Sequence, residues 1–308
     1  MIHDVLKHGL AYHDAESERL AAELEAAAVE ARDWPARWGE FAHLCVHTVG
    51  EHLGDWPRAA RILQALLAGQ TPDAETAPVW ARLALARLLA GDPAGAAAAE
   101  LAWMAAAEQG VTAAALELKF LLVAALVGTG RAAEAAPVYS AALTLARGLG
   151  DAAPARAIAV ASNNLGSELL EQPTRTAEED ALMRQAAEAA HDFWLMCGDW
   201  THDERARYLR ALVANALGAP AEGLAQADTA LAIIAAHSPR PVDEAFLHLA
   251  RARSHHLLGD AVASASDLAR SDAAAVRWDG LDEDLVTWHA EERARAFPHL
   301  PPREVAQA

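Results

Sequence analysis

Residues 80–96 read WARLALARLLAGDPAGA, and this stretch decides the fold. An apolar run without a helix breaker leads to the pair Gly91–Asp92, and Pro93 then opens a second, alanine-rich stretch. A glycine after a helical run is typical of a helix C-terminus, and an aspartate followed by proline is typical of the start of the next helix. The stretch therefore predicts two helices joined by a short turn.

The same turn signal recurs along the chain. Its glycines are separated by 37, 39, 88 and 41 residues, and they are Gly54, Gly91, Gly130, Gly218 and Gly259. The interval of 88 residues is about two periods, which predicts one more unit inside it. The helical residues Ser162–Gly166 lead to a turn at Gln172–Pro173 and supply that unit. The sequence thus predicts about six helix–turn–helix units with a period near forty residues.

Small residues occupy a fixed place in these units. Five residues after each turn glycine the side chain is small: Ala59, Ala96, Ala135, Gly223 and Ser264. Two antiparallel helices joined by a short turn approach closely only where small side chains face each other. We therefore expect these five positions to be buried at helix crossings.

The composition favours an all-α fold. Alanine accounts for 80 of the 308 residues, hydrophobic residues for 53% and aromatic residues for only 6%. Alanine is the strongest helix former, whereas the β-branched and aromatic residues that strands prefer are scarce here. This composition excludes a disordered, collagen-like or β-sandwich protein, and the chain is long enough to bury a sizeable core.

The charge balance bears on the choice of partner. The formal net charge is −18, and lysine occurs only at Lys7 and Lys119. Proteins that bind nucleic acid or anionic membranes concentrate Lys and Arg, so we expect neither as a partner. The acidic surface either keeps the protein solvated or favours a basic partner. The abundance of Ala and Arg with almost no Lys is typical of a bacterium with a GC-rich genome.

Neither a leader nor a membrane span is predicted. The N-terminal residues MIHDVLKHGL lack the basic-then-apolar order of a signal peptide. The longest stretch without an ionisable side chain, between Glu134 and Arg147, has 12 residues. A membrane helix needs roughly 20 apolar residues. The sequence therefore predicts a cytoplasmic protein.

Helical segments flank the repeats. We expect one domain over residues 1–300, divided into N-terminal helices at 1–37, repeats at 38–275 and a capping helix at 281–297, with a flexible tail at 298–308. Within the first segment, Asp14 or Ser17 is the expected N-cap of a helix that continues to about Arg32.

Three stretches of the repeats share a motif: Trp80-x-x-Leu83-Ala84 followed by Gly91-Asp92 and Ala96, Gly130-Arg131-Ala132-Ala133-Glu134-Ala135 leading to Tyr139, and Asn163-Asn164-Leu165-Gly166. These units resemble the tetratricopeptide repeat (TPR) family over residues 38–275, with a period longer than that family's usual 34 residues. The resemblance implies a right-handed α-solenoid of about six units with N- and C-terminal capping helices. It also implies peptide binding on the concave surface, which the first helix of each unit lines.

Polar side chains on the first helices of the second half are the candidate peptide-binding residues. Counting back from each turn, they are Asn163, Ser167, Tyr208, Asn215, Arg253 and His256. An asparagine side chain can bond both the N–H and the C=O of an extended backbone, which suits sequence-tolerant peptide capture. The family's paired-lysine clamp for a C-terminal carboxylate is not evident in this sequence.

Apolar side chains hold the corresponding places in the first half: Ala81, Leu85, Leu88, Phe120, Ala124 and Val127. An apolar groove open to water is unusual in a monomer. We therefore expect either the chain's own helix at 14–32 or a second copy of the chain to cover it. The alternative is that these residues belong to the core.

A histidine-containing helix face offers a different kind of site. Glu40, His43, His47 and Glu51 are spaced 3, 4 and 4 residues apart, which places them on one face of an α-helix. Two imidazoles one turn apart can ligate zinc or iron. Glu188 and His191 repeat the Glu-x-x-His spacing, but about one such pair is expected by chance in a chain with 14 His and 24 Glu. The alternative is a helix face of solvated histidines.

No motif for phosphate binding, dinucleotide binding or a nucleophile elbow occurs in the sequence, and there is no Cys-x-x-Cys. The sequence therefore predicts a non-catalytic protein- or peptide-binding scaffold or regulatory module without a cofactor. The alternatives are a helical metalloprotein that uses Glu40, His43 and His47, and a self-associating structural subunit that forms a homo-oligomer.

Overall fold

The fold was obtained as a computed structural model. The structure describes residues 2–108, 110–150, 154–276 and 283–298. Within those ranges it has fifteen α-helices and no strand, which confirms the all-α prediction. The chain divides into two compact units, Met1–Ala153 (unit 1) and Pro154–Ala308 (unit 2).

Unit 1 contains eight α-helices and one π-helical segment. The α-helices are α1 (Ile2–Tyr12), α2 (Ser17–Ala27), α3 (Trp38–Cys45), α4 (Trp56–Leu66), α5 (Ala77–Leu89), α6 (Pro93–Ala106), α7 (Val111–Gly128) and α8 (Ala132–Leu149). The π-helical segment, Val46–His52, continues directly from α3. Two short 3₁₀ turns, Glu30–Asp33 and Pro35–Arg37, connect α2 to α3.

Unit 2 contains the other seven helices. They are α9 (Ala155–Glu171), α10 (Ala177–Cys197), α11 (Trp200–Ala216), α12 (Pro220–His237), α13 (Pro241–Leu257), α14 (Ala261–Val276) and α15 (Glu283–Ala296). Consecutive helices pack as the pairs α9–α10, α11–α12 and α13–α14, and unit 1 has the same arrangement in α5–α6 and α7–α8. The first helices of the unit 2 pairs also contact one another, because α11 packs against both α9 and α13.

All five predicted turn glycines adopt a left-handed backbone conformation. Their φ angles are +67°, +77°, +71°, +72° and +82° at Gly54, Gly91, Gly130, Gly218 and Gly259, respectively. A side chain with a Cβ is disfavoured there. At Gly91 the next residue donates its N–H to the carbonyl of Arg87 at 2.9 Å, which is the Schellman termination. The Asp92 side chain then accepts the Gly95 N–H at 2.9 Å and caps α6. The turn sequence thus ends one helix and starts the next.

The sixth predicted turn, at Gln172–Pro173, also separates two helices. It joins α9 to α10 without a glycine. Thr176 caps α10, accepting the Glu179 N–H at 3.2 Å, while the Glu179 carboxylate accepts the Thr176 N–H at 2.7 Å. This reciprocal pair is a capping box, and it fixes the helix start in place of a Gly–Asp pair.

The small residues that follow the turns lie in the core, as predicted. All five positions, Ala59, Ala96, Ala135, Gly223 and Ser264, are buried. Gly223 shows why size matters. A Cβ at this position would lie 2.6 Å from Asn215 Oδ1 and 3.1 Å from the Ala211 carbonyl oxygen on the partner helix. Contact at that distance requires the α11–α12 crossing to shift.

The N-terminal prediction needs a correction. The helix expected from Asp14 or Ser17 to about Arg32 is α2, which spans only Ser17–Ala27 and has Glu16 at its N-cap without a capping hydrogen bond. The predicted capping helix at 281–297 is α15, which spans Glu283–Ala296 and packs against α13. Most of the expected tail, residues 299–308, lies outside the described residues.

Three of the six apolar first-half positions are core residues. Ala81, Leu85 and Val127 are buried, so they do not line an open groove. Leu88 and Phe120 are half-buried and Ala124 is exposed. The N-terminal helix α2 packs on α1, α3 and the π-helical segment. Covering α5 and α7, which the sequence predicted for this helix, is therefore not its main role.

One helix of the described chain, α7, is long and apolar enough to cross a membrane by length and composition. The prediction that no such helix exists is thus wrong on those two criteria. The core helix of a soluble protein passes the same test, and α7 packs against α5 and α8 and buries Ala114, Leu116 and Val123. A single helix of this kind is weak support for a membrane protein.

We expect Gly223→Ala to lower the free energy of unfolding by about 1–3 kcal/mol, because the added methyl group overpacks the α11–α12 crossing. The matched control is Gly148→Ala near the end of α8, where a Cβ would meet no atom within 4 Å. That change raises stability by up to about 1 kcal/mol, since alanine is the better helix former. Urea denaturation followed by circular dichroism measures both, and equal effects would contradict the close crossing.

Candidate functional site

The inner layer of unit 2, formed by α9, α11, α13 and α15, surrounds two adjoining cavities. The larger cavity has a volume of about 450 Å³ and the smaller one of about 220 Å³. Each is lined by side chains from all four helices. The first helices of consecutive pairs are therefore brought to one site, and the C-terminal helix α15 contributes a wall to it.

Five of the six predicted peptide-binding residues line these cavities. Asn163, Ser167 and Tyr208 line the larger one. Tyr208 also lines the smaller one, together with Asn215 and Arg253. Counting back from the turns thus selected residues on the faces of α9, α11 and α13 that line the cavities.

The sixth residue, His256, lies elsewhere. It is exposed near the end of α13 and lines neither cavity. Its ring is edge-on to the buried Phe297, with 5.7 Å between the ring centroids. The residue covers the end of α15, so we assign it no place in the site.

Two of the predicted peptide-binding residues already form hydrogen bonds within the protein. Asn215 Nδ2 donates to the Ala250 carbonyl at 3.0 Å, and the Ser254 hydroxyl donates to Asn215 Oδ1 at 2.8 Å. The amide therefore joins α11 to α13 and has little capacity left for a ligand. Arg253 Nη1 donates to the Ala296 carbonyl at 3.0 Å and holds the end of α15.

Asn163, Ser167 and Tyr208 carry the polar groups that face the larger cavity. All three are half-buried, and the structure shows no hydrogen bond from their side chains to any described residue. The Tyr208 ring packs edge-on against Phe246 at 6.1 Å. Burial raises the pKa of Tyr208 well above its usual value, so its hydroxyl stays protonated and is able to donate or accept.

Glu204 is the residue that the sequence analysis missed. Its side chain is completely buried on α11 and lines the larger cavity. Neither carboxyl oxygen accepts a hydrogen bond from a donor within the described ranges, the protonated carboxyl has Asp243 as its hydrogen-bond acceptor, and Arg205 Nε lies 3.6 Å from Oε1. Burial, reinforced by the neighbouring Asp243 carboxylate, raises the pKa of Glu204 to about 8. A carboxyl group in this state is a functional-site candidate.

The walls of the larger cavity are aromatic and acidic. Phe246 and Trp288 pack against each other with 4.6 Å between their ring centroids and an angle of 41° between the ring planes. Four acidic residues line the cavity against two arginines, and they are Glu171, Glu204, Asp243 and Glu292. Burial also raises the pKa of Glu292, which Arg295 opposes from 2.6 Å. Aromatic faces beside carboxylates suit a cationic group with an apolar stem.

The predicted metal-ligating face in unit 1 does not form as the sequence suggested. Glu40 is exposed and bonded to Arg37 Nε at 2.8 Å. His43 is exposed and stacks parallel to His47, with 5.9 Å between the ring centroids. The π-helical segment begins at Val46, so the α-helical spacing that groups Glu40, His43 and His47 ends there. His47 instead faces His13 and His52.

The two side chains of the second predicted pair, Glu188 and His191, lie in different surroundings. Glu188 is exposed on α10. His191 is buried, and its Nε2 lies 2.8 Å from Asp203 Oδ1 on α11. Burial lowers the pKa of His191. Its role is to hold α10 against α11.

No protein-family model matches this chain, and no curated protein matches it in sequence.

Glu204→Gln should remove a pH dependence of stability. The pKa of about 8 in the folded state lies above the usual 4.5, so the folded protein holds an extra proton between these values. Wild-type stability then falls as the pH rises through this window. We expect the variant to be more stable than wild type by a few kcal/mol at pH 9, at most about 5 at 1.36 kcal/mol per pH unit, and by much less at pH 5.

Urea denaturation at pH 5, 7 and 9 measures this effect. The control is Glu188→Gln, which removes an exposed carboxylate from α10 and should leave the pH trend of the wild type unchanged. If Glu204→Gln keeps that trend as well, Glu204 is not the buried acid.

Proposed function

We propose that this protein is a non-catalytic protein-binding module built from TPR-like helical repeats. It binds a peptide segment at the inner layer of unit 2, and the larger cavity receives a cationic side chain of that segment. The observation that carries the proposal is the buried carboxyl of Glu204, which lines the cavity beside its acidic neighbour Asp243 and accepts no hydrogen bond from a donor among the described residues. A buried polar group is costly until a partner satisfies it.

The residues around the cavity favour a peptide. Asn163 and Ser167 lie four residues apart on α9 and share one helix face, so they present polar groups along a line beside the cavity. An amide and a hydroxyl are able to bond the N–H and C=O groups of an extended backbone without regard to its sequence. The cavity then supplies the side-chain preference.

The charge favours a basic segment. A lysine or arginine side chain would place its apolar stem against Phe246 and Trp288 and its charge near Glu204 and Asp243. The approach of a cation favours the ionised form of Glu204, so binding releases a proton at pH 7. The net charge of −18 adds a long-range attraction for a basic partner and repels nucleic acid and anionic membranes.

The rest of the proposal follows from the resemblance to TPR proteins and from the paired helices. The helix pairs belong to a right-handed α-solenoid, the protein acts in the cytoplasm as a scaffold or regulatory subunit, and it has no enzymatic activity of its own. Three of the six apolar first-half positions, Ala81, Leu85 and Val127, are buried and cannot contact a second copy, so a homo-oligomer is the less favoured alternative.

Selection from a random peptide display library tests the proposal with the full-length protein. We expect the selected peptides to contain Lys or Arg next to apolar residues. Tyr208→Ala should weaken the binding of a selected synthetic peptide at least tenfold, as loss of a central aromatic contact does. Asn163→Ala should weaken it by a smaller factor. The matched control is Asn164→Ala, because Asn164 is the exposed neighbour on the same helix.

Two outcomes would contradict the proposal. One is selection of peptides without any preference for a basic residue. The other is equal weakening by Asn163→Ala and Asn164→Ala. Fluorescence anisotropy with labelled peptide gives the affinities, and circular dichroism confirms that each variant is folded.

A further inference from the structure

Three histidine side chains converge in unit 1. His13 lies in the turn between α1 and α2, whereas His47 and His52 belong to the π-helical segment. The ring centroids are 4.9 Å apart for His13–His47, 4.9 Å for His13–His52 and 4.6 Å for His47–His52. One nitrogen from each ring lies within 4.8 Å of the other two.

The π-helix is the local cause of this convergence. In an α-helix, residues five apart are rotated by about 140° around the axis and face different directions. In a π-helix the hydrogen bond runs between residues five apart, so their side chains lie on one face. His47 and His52 are five apart, and their Nε2 atoms approach to 3.2 Å.

The neighbours of two of the rings direct their Nε2 lone pairs inward. His13 Nδ1 lies 2.6 Å from the Leu10 carbonyl oxygen, and His47 Nδ1 lies 2.7 Å from Glu51 Oε2. Each of these oxygens only accepts, so each Nδ1 donates, and in the neutral form of either ring the lone pair is on Nε2. A carboxylate or carbonyl behind an imidazole is the usual support of a metal-ligating histidine.

We propose that His13, His47 and His52 form a zinc site. Zn²⁺ binds imidazole nitrogens at 2.0–2.1 Å in a tetrahedral arrangement, which separates two ligand nitrogens by about 3.3 Å. The observed 3.2 Å between His47 and His52 matches that separation. A hydrogen bond satisfies only two of the three nitrogens, whereas one metal ion satisfies all three. The three nitrogens lie within 4.8 Å of one another, so His13 completes the set by a movement of at most about 1.5 Å in its turn.

The fourth zinc position faces the exposed side of the cluster. The Asp14 carboxylate is the nearby oxygen donor, with Oδ1 3.4 Å from His13 Nε2 and 3.5 Å from His52 Nδ1. Either this carboxylate or a water molecule fills the position. The bound ion joins the α1–α2 turn to the π-helical segment, two parts of unit 1 that are 34–39 residues apart in sequence.

Metal titration of the full-length, untagged protein tests this site. After treatment with a chelator and its removal, Zn²⁺ is titrated by calorimetry, and Co²⁺ serves as an optical probe of the coordination geometry. We expect one ion per chain and the visible absorption of a tetrahedral Co²⁺ centre. His13→Gln and His52→Gln each should weaken Zn²⁺ binding about 100-fold or more.

Two further variants separate the roles of the neighbouring residues. Glu51→Gln should weaken binding by about 10- to 100-fold while the Co²⁺ spectrum persists, as expected of a residue that positions a ligand. His43→Gln is the matched control. It removes a histidine that stacks on His47 but lies outside the cluster, and it should leave the affinity unchanged.

Failure of the wild type to bind Zn²⁺ at submillimolar concentration would overturn the proposal. Equal weakening by His43→Gln and His52→Gln would also overturn it, because the ligands would then follow the α-helical spacing. Circular dichroism of the metal-free variants shows whether each is folded. The peptide-binding residues lie in unit 2, so peptide affinity is measured separately and the failure of one proposal leaves the other standing.

Discussion

The structure depends on a chain reversal that only a residue without a Cβ makes easily. At each glycine turn the backbone enters the left-handed region and the preceding helix ends. The next helix begins two residues after the glycine. A small residue five positions later then allows the two helices to approach each other. The turn sets the direction of the second helix and the small residue sets its distance. Repetition of this turn and this small residue along the chain builds the inner layer of first helices that surrounds the cavities of unit 2.

The two proposed sites arise from opposite uses of this framework. In unit 2 the repeat is regular, and α9, α11 and α13 bring polar residues at equivalent positions to one surface. The site there is a consequence of repetition. In unit 1 the site lies where regularity is interrupted, at the π-helical segment and the α1–α2 turn.

Sequence periodicity predicted the regular part of this molecule well. The turn glycines, the small residues after them and five of six inner-layer residues could be found by counting, because each repeats at a fixed offset. Glu204 could not be found in this way, since its burial depends on α13 and α15 closing around it. The histidine cluster was missed for a different reason. A search for residues three or four apart assumes an α-helix, so it groups His43 with His47. The π-helix instead places His52 beside His47 in the cluster.

The π-helical segment has an evolutionary consequence. A π-helical turn contains one residue more than the α-helical turn it replaces, so the insertion of one codon is enough to create it. Deletion of one of residues 48–51 would restore α-helical hydrogen bonding and leave the two histidines four positions apart, which keeps them on one helix face. Relatives of this protein with a shorter segment would therefore keep the histidine pair, and what the extra residue changes is the rotation of α3 relative to the turn at Gly54.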